Sequence, residues 1–182
     1  MKWLKHHEDL DFGKEVIPKM IPKKHVVPYV FEGYWEDIGT IKSFHKANMD
    51  LIGENPKFNF FDHDFPIYTN QTSLPPAFIK NTKVVHSIIS EGSNIADAEI
   101  TNSIIGVRSK IHPRVKLENV FMMGADYFEK TRDLKIDEAE GIIPLGIGGG
   151  TIIKNAILDK NVRIGKNVRI VNAENVQEAK DD

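Results

Sequence analysis

Ile152-Ile153-Lys154-Asn155-Ala156-Ile157, Leu158-Asp159-Lys160-Asn161-Val162-Arg163 and Ile164-Gly165-Lys166-Asn167-Val168-Arg169 are three consecutive hexads, closed by Ile170. Each is led by an aliphatic residue and carries a small or β-branched residue, Ala156, Val162 or Val168, at its fifth place. Two positions per hexad can therefore point inward while the polar ones face water. Neither a 3.6-residue helix nor an alternating strand requires a period of six. A parallel β-helix does, because each short strand turns one corner of a prism and stacks on its counterpart in the next coil. On this reading Ile152, Leu158, Ile164 and Ile170 are the buried positions.

The same ruler runs, with slips, through residues 84–124. Its leading residues are Ile89, Ile95, Ile100, Ile105, Ile111, Leu117 and Met122, spaced by steps of five or six. A five-residue step drops one corner residue and leaves the stacked strands in place. Residues 124–146, rich in Glu, Asp and Lys, interrupt the two blocks as a loop, with one helical turn expected over Asp133 to Ala139. The alternative is an ordinary sandwich of short strands, since Ile and Val suit any sheet. Three unbroken hexads with matched inner positions favour the solenoid.

Residues 1–52 differ in character. Thr40 is placed to cap a helix over Ile41 to Ile52, with Ile41, Phe44, Met49 and Ile52 as its apolar stripe. Upstream, His25 to Phe31 reads as a strand ending in a turn at Glu32-Gly33. Residues 53–83 hold Gly53, Asn55-Pro56, Pro66 and Pro75-Pro76 without a sustained period, which marks a linker with its boundary near Pro75. The expected organisation is thus 1–52 as the end of one domain, 53–83 as linker and 84–182 as a β-helix lacking its last coil. Such an end exposes inner residues and strand edges.

A hydrophobic content of 41% with 27% charged residues is that of a globular protein, and a formal charge of −2 gives no general pull toward nucleic acid or anionic membrane. With no run of eighteen apolar residues and no signal-like start, neither a membrane span nor an export address is expected. The chain has no cysteine, which excludes disulfides, thiolate catalysis and Cys-ligated zinc. His6-His7-Glu8-Asp9 and Asp62-His63-Asp64 read as solvated surface, because adjacent residues on one stretch rarely converge on one ion. Gly146 to Gly150 follows no βα unit and lacks the Lys-Ser/Thr of a phosphate loop, so it reads as solenoid turns. Only His86 and His112 lie in the solenoid, in neither case in the sequence setting of a β-helix acyltransferase base.

Several segments, in order along the whole chain, resemble the ADP-glucose pyrophosphorylases (glucose-1-phosphate adenylyltransferases). They are Asp11-Phe12-Gly13-Lys14-Glu15-Val16-Ile17-Pro18, Gly33-Tyr34-Trp35-Glu36-Asp37-Ile38-Gly39-Thr40, Pro66-Ile67-Tyr68-Thr69 with Leu74-Pro75-Pro76, Met123-Gly124-Ala125-Asp126-Tyr127, Pro144-Leu145-Gly146-Ile147-Gly148, Ile157 to Gly165, and Asn175-Val176-Gln177-Glu178-Ala179. Phe121-Met122-Met123-Gly124 is more similar to the large, regulatory-type plant subunits than to the small ones. The resemblance implies a mainly β protein, a left-handed parallel β-helix domain preceded by the C-terminal end of an α/β nucleotidyltransferase domain. It implies formation of ADP-glucose and pyrophosphate from ATP and glucose 1-phosphate, in glycogen or starch synthesis, in a bacterial cytoplasm or plastid stroma. The family's Gly-rich G-G-x-G-x-R-L motif, first metal aspartate and sugar-phosphate lysine are not in these residues, so the chain alone is expected to be inactive.

Residue by residue, the resemblance makes Asp37 a catalytic carboxylate that shares Mg²⁺ with a missing N-terminal domain. It places Trp35 at the wall of the sugar pocket, and makes Asp11 and Phe12 substrate-binding, Asp11 by accepting hydrogen bonds from glucose hydroxyls. Without the resemblance, Asp37 reads as a helix-proximal cap three residues before Thr40. Asp159 and Lys160 match a position where a lysine contacts an anionic effector, for which a compact ammonium is suited; taken alone, Lys160 is a turn lysine. Thr72 stands where relatives carry an effector-contacting arginine, which implies altered effector binding. Implied partners are the two substrates, an anionic effector and further subunits in a homo- or hetero-oligomer. The reading from a different class is a non-catalytic regulatory or oligomerisation module.

Overall fold

The computed structural model describes residues 11–69, 73–130, 139–174 and 176 of the chain. The residues divide into two compact units, Met1–Tyr34 and Trp35–Asp182. In the first, a π-helical turn over Phe12–Val16 runs into a short helix α1, Ile17–Met20, with Pro18 in its first turn, where a missing N–H costs nothing. Residues 25–31, expected as a strand, pair with nothing among the described residues and are irregular and exposed. A local pattern without a partner edge does not make a sheet.

In the second unit, helix α2 covers Ile41–Met49. Thr40 caps it as expected. Its hydroxyl accepts from the Ser43 N–H at 3.1 Å, and the Ser43 hydroxyl accepts from the Thr40 N–H at 3.1 Å, a reciprocal pair that satisfies two donors otherwise orphaned at the helix start. The helix ends three residues before Ile52. The expected stripe is corrected too: Ile41 is 81% exposed, because the first residue after the cap points away from the face that packs.

From Phe78 onward the chain winds into a three-faced parallel solenoid, beginning inside the stretch read as linker. The first face is β1 (Phe78–Lys80), β4 (Asn94–Ala96), β7 (Lys110–Ile111), β9 (Gly146–Ile147) and β11 (Arg163–Ile164). The second stacks β2 (Lys83–Val85), β5 (Glu99–Thr101), the first half of β8 (Lys116–Met122), the first half of β10 (Ile152–Leu158) and β12 (Arg169–Ile170). The third stacks β3 (Ile88–Ile89), β6 (Ile104–Ile105) and the second halves of β8 and β10. Every pairing is parallel and in register. Ile79, Ile95, Ile111, Ile147 and Ile164 form one inner column. Val84, Ile100, Leu117, Ile153 and Ile170 form the second. Ile105, Met122 and Leu158 continue the third from Ile89.

The five-residue steps fall at corners. Between the second and third faces a single residue with φ near +50°, Asn102, Asn119 or Asn155, turns the chain, and asparagine tolerates that left-handed region better than most residues. The Asn119 amide donates to the Asn155 side-chain oxygen at 2.6 Å, tying stacked corners together. This geometry corrects the register of the first hexad. From Ile147 the inner steps are six to Ile153, five to Leu158, then six to Ile164 and six to Ile170, so Ile153 is fully buried and Ile152 faces outward, half-buried. Leu158 is buried as expected. Ile164 is half-buried and Ile170 is 37% exposed, although both point inward, because no described strand pairs with β11 or β12 on the far side. Ala156 and Val162 do pack against the core.

The loop between β8 and β9 leaves the solenoid where expected. The helical turn expected over Asp133 to Ala139 lies almost wholly outside the described residues. On the third face the outward row is also apolar, Ile88, Ile104, Phe121 and Ile157. Helix α2 covers part of it: the Phe44 ring meets Phe121 edge-on at 5.2 Å and 77°, and the His45 Nε2 lies 3.1 Å from the Asn119 carbonyl oxygen.

Candidate functional site

Asp11 and Phe12 stand at the head of the π-helical turn. The Asp11 Oδ1 accepts from the Lys14 N–H at 2.7 Å and its own N–H donates to Glu15 at 3.0 Å. Its carboxylate therefore has a structural task, closing the first turn. Phe12 is exposed. Trp35 and Asp37 belong to the second unit, ahead of α2, and both are exposed. The Asp37 Oδ1 accepts from the Gly39 N–H at 3.0 Å. Asp37 thus shapes the turn that delivers Thr40 to its capping position without capping the helix itself, and its second oxygen has no partner among the described residues.

Asp159 and Lys160 occupy the corner leading from the third face back to the first, between β10 and β11. The Asp159 Oδ1 accepts from the Lys160 N–H at 2.7 Å, and the Lys160 ammonium meets the Asp126 Oδ1 at 2.8 Å. Asp126 is further held by Asn161, whose amide donates to Oδ2 at 2.8 Å while its Oδ1 accepts from the Asp126 N–H at 2.9 Å. These bonds, Lys160 first and Asn161 second, hold the Asp126 carboxyl below its ordinary range. The sequence reading singled out Lys160 but not its counter-ion. Asp126 lies 34 residues away, across the inserted loop, and only the closing of the coil brings the two together. Next to this pair, the nearly buried Glu129 accepts from Arg163 at 2.7 Å and from the Leu145 N–H at 2.9 Å.

Asp62 and His63 lie exposed, with His63 3.9 Å from Asp64, and no group of three potential metal ligands occurs among the described residues. His6 to Asp9 and Thr72 lie outside the described residues. No helix among the described residues is long and apolar enough to cross a membrane.

Residues 72–182 match the GLGC left-handed parallel β-helix domain, and residues 2–54 match the nucleotidyl transferase family. The chain belongs to the GLGC β-helix family. It is glucose-1-phosphate adenylyltransferase-like, a mainly β left-handed helix with a short nucleotidyltransferase segment ahead of it. Asp11, Phe12, Trp35 and Asp37 all fall in the nucleotidyltransferase segment, and Asp159 and Lys160 fall in the β-helix of the GLGC type.

Proposed function

We propose that the chain forms part of a glucose-1-phosphate adenylyltransferase, which makes ADP-glucose and pyrophosphate from ATP and glucose 1-phosphate for glycogen or starch synthesis. The observation that supports this most directly is the pair of matches in series, a nucleotidyltransferase segment over 2–54 and the GLGC β-helix over 72–182. Attack of the glucose 1-phosphate oxygen on the α-phosphorus of ATP expels pyrophosphate. The protein has to align the two phosphates and offset their charge. Mg²⁺, when bound, supplies that charge and is suited to a site of one or two carboxylates completed by substrate phosphates. Asp37 fits such a role: a hard oxygen donor, solvent-facing, with one oxygen uncommitted.

In this reading Asp11 receives glucose hydroxyls with the carboxylate oxygen left over from its turn, and Phe12 and Trp35 supply apolar walls for the sugar. Lys160 takes an anionic effector after its ammonium leaves Asp126, and the exposed inner residues of the terminal coils serve subunit contacts. The residues of this chain include no Gly-rich nucleotide loop, so the 182-residue protein alone is expected to be silent. An assay with ATP, glucose 1-phosphate and Mg²⁺ tests this: no pyrophosphate release from the chain alone, and release on addition of a separately expressed nucleotide-binding half. Activity from the chain alone would overturn the expected silence, and none in the mixture although the two halves associate would overturn the enzymatic reading in favour of a regulatory or oligomerisation module.

A further inference from the structure

At the corner between the first and second faces, three coils stack His112-Pro113, Gly148-Gly149 and Gly165-Lys166 on one another. A Cβ at Gly148 would lie 2.6 Å from the Gly165 carbonyl, and one at Gly149 2.9 Å from the Pro113 oxygen. Only glycine allows this approach, so the corner is floored with backbone. Above it the returning loop lays Ile142 and Ile143, leaving a cavity of about 620 Å³ with His112 and Lys166 among its lining residues. This is the size range of small-molecule sites, mostly apolar with a few placed polar groups.

The wall is held in place by the protein's own bonds. The Ile143 carbonyl accepts from Arg163 at 2.6 Å, and Glu129 grips both Arg163 and the Leu145 N–H. Two large aliphatic side chains nevertheless stand more than 40% exposed there, and a ligand with an apolar body would cover them. Among the described residues that line it the charge is one-signed. None of them is a carboxylate, Lys166 makes no hydrogen bond or ion pair from its side chain among the described residues, and burial, with the charges of Lys110 and Lys166, holds His112 toward its neutral form.

We propose that this cavity binds a small organic anion, its carboxylate or sulfonate on Lys166 and its apolar body between Ile142, Ile143 and the glycine floor. The site is separate from the Lys160 corner, which contributes nothing to its lining, and does not depend on the enzymatic reading.

The probe is 8-anilinonaphthalene-1-sulfonate, titrated into the 182-residue chain and followed by fluorescence, with its uncharged relative N-phenyl-1-naphthylamine as partner. The expected result is one saturable site for the sulfonate and at least tenfold weaker binding of the neutral compound. Lys166→Gln, at an exposed turn, should weaken the sulfonate about tenfold. Ile143→Asp should remove saturable binding, and Lys80→Gln, an equal loss of charge on β1, should change nothing. Melting curves confirm that each variant folds. Equal affinity for both probes, unchanged affinity in Lys166→Gln, or an equal loss in Lys80→Gln would overturn the proposal.

Discussion

At the scale of single residues, the turn ahead of α2 separates two uses of one carboxylate. Thr40 and Ser43 cap the helix without help, so Asp37 is free of that duty and offers only one oxygen to Gly39. An asparagine can accept the same N–H through its amide oxygen. In an active enzyme containing this segment, Asp37→Asn should leave the melting temperature within a degree or two and lower turnover about a hundredfold, a loss of roughly 2.7 kcal/mol of transition-state stabilisation. Turnover and melting measured on the same preparation check it, and unchanged turnover removes Asp37 from the metal site. The identity of Asp37 as a candidate was legible in its octapeptide. The turn bond that occupies one of its oxygens was not, because the acceptance from the Gly39 N–H depends on how the backbone bends ahead of the cap.

At the scale of elements, the bent strand β10 carries the sharpest lesson. The hexad ruler gives the same period whether it starts on Ile152 or Ile153, and a one-residue shift moves a side chain to the opposite face. The αL residue Asn155 decides it by shortening the corner to one residue. Ile153→Ala should therefore cost about 2–5 kcal/mol as a cavity in a column that cannot collapse, whereas Ile152→Ala, outward and half-buried, should cost about 1 kcal/mol or less. Denaturant unfolding of the two variants measures the difference, and similar losses would refute the register. Paired apolar residues at Ile88-Ile89, Ile104-Ile105, Phe121-Met122 and Ile157-Leu158 are a signal that was available in the sequence. Both sides of the third face are apolar, which calls for an outer cover, and α2 supplies part of one through Phe44.

At the scale of the molecule, acid should destabilise the protein in two steps. His112 is depressed, by burial first and then by Lys110 and Lys166. The unfolded chain thus takes up that proton before the folded one, and the stability involved is complete above the ordinary value of 6.5 and lost as pH falls through the folded value. Glu99 is depressed by its hydrogen bond and charge interaction with Lys116, and Asp126 by Lys160 and Asn161. Their share is complete above ordinary values of 4.5 and 3.8 and is lost below them as the carboxylates protonate in the folded state. Melting temperature against pH should fall once below neutrality and again in the carboxylate range. Glu99→Gln with Asp126→Asn should flatten the second fall, and a profile unchanged by that double substitution would show that these surface pairs contribute nothing. Both pairs are solvent-exposed, so raising the salt should have the same flattening effect.

The period of six, the interrupting loop and the cap at Thr40 were open to reading from residue order, because each rests on local chemistry: aliphatic spacing, a charged insertion, a hydroxyl before a helix. What residue order could not settle were the questions that depend on which coil lies over which. The inner register at Ile153, the pairing of Lys160 with Asp126 across the insertion, and the glycine-floored cavity beside His112 all arise from contacts between residues sixteen or more positions apart. A parallel solenoid stacks its inner columns through such contacts, and one left-handed asparagine at a corner is enough to shift them by a residue.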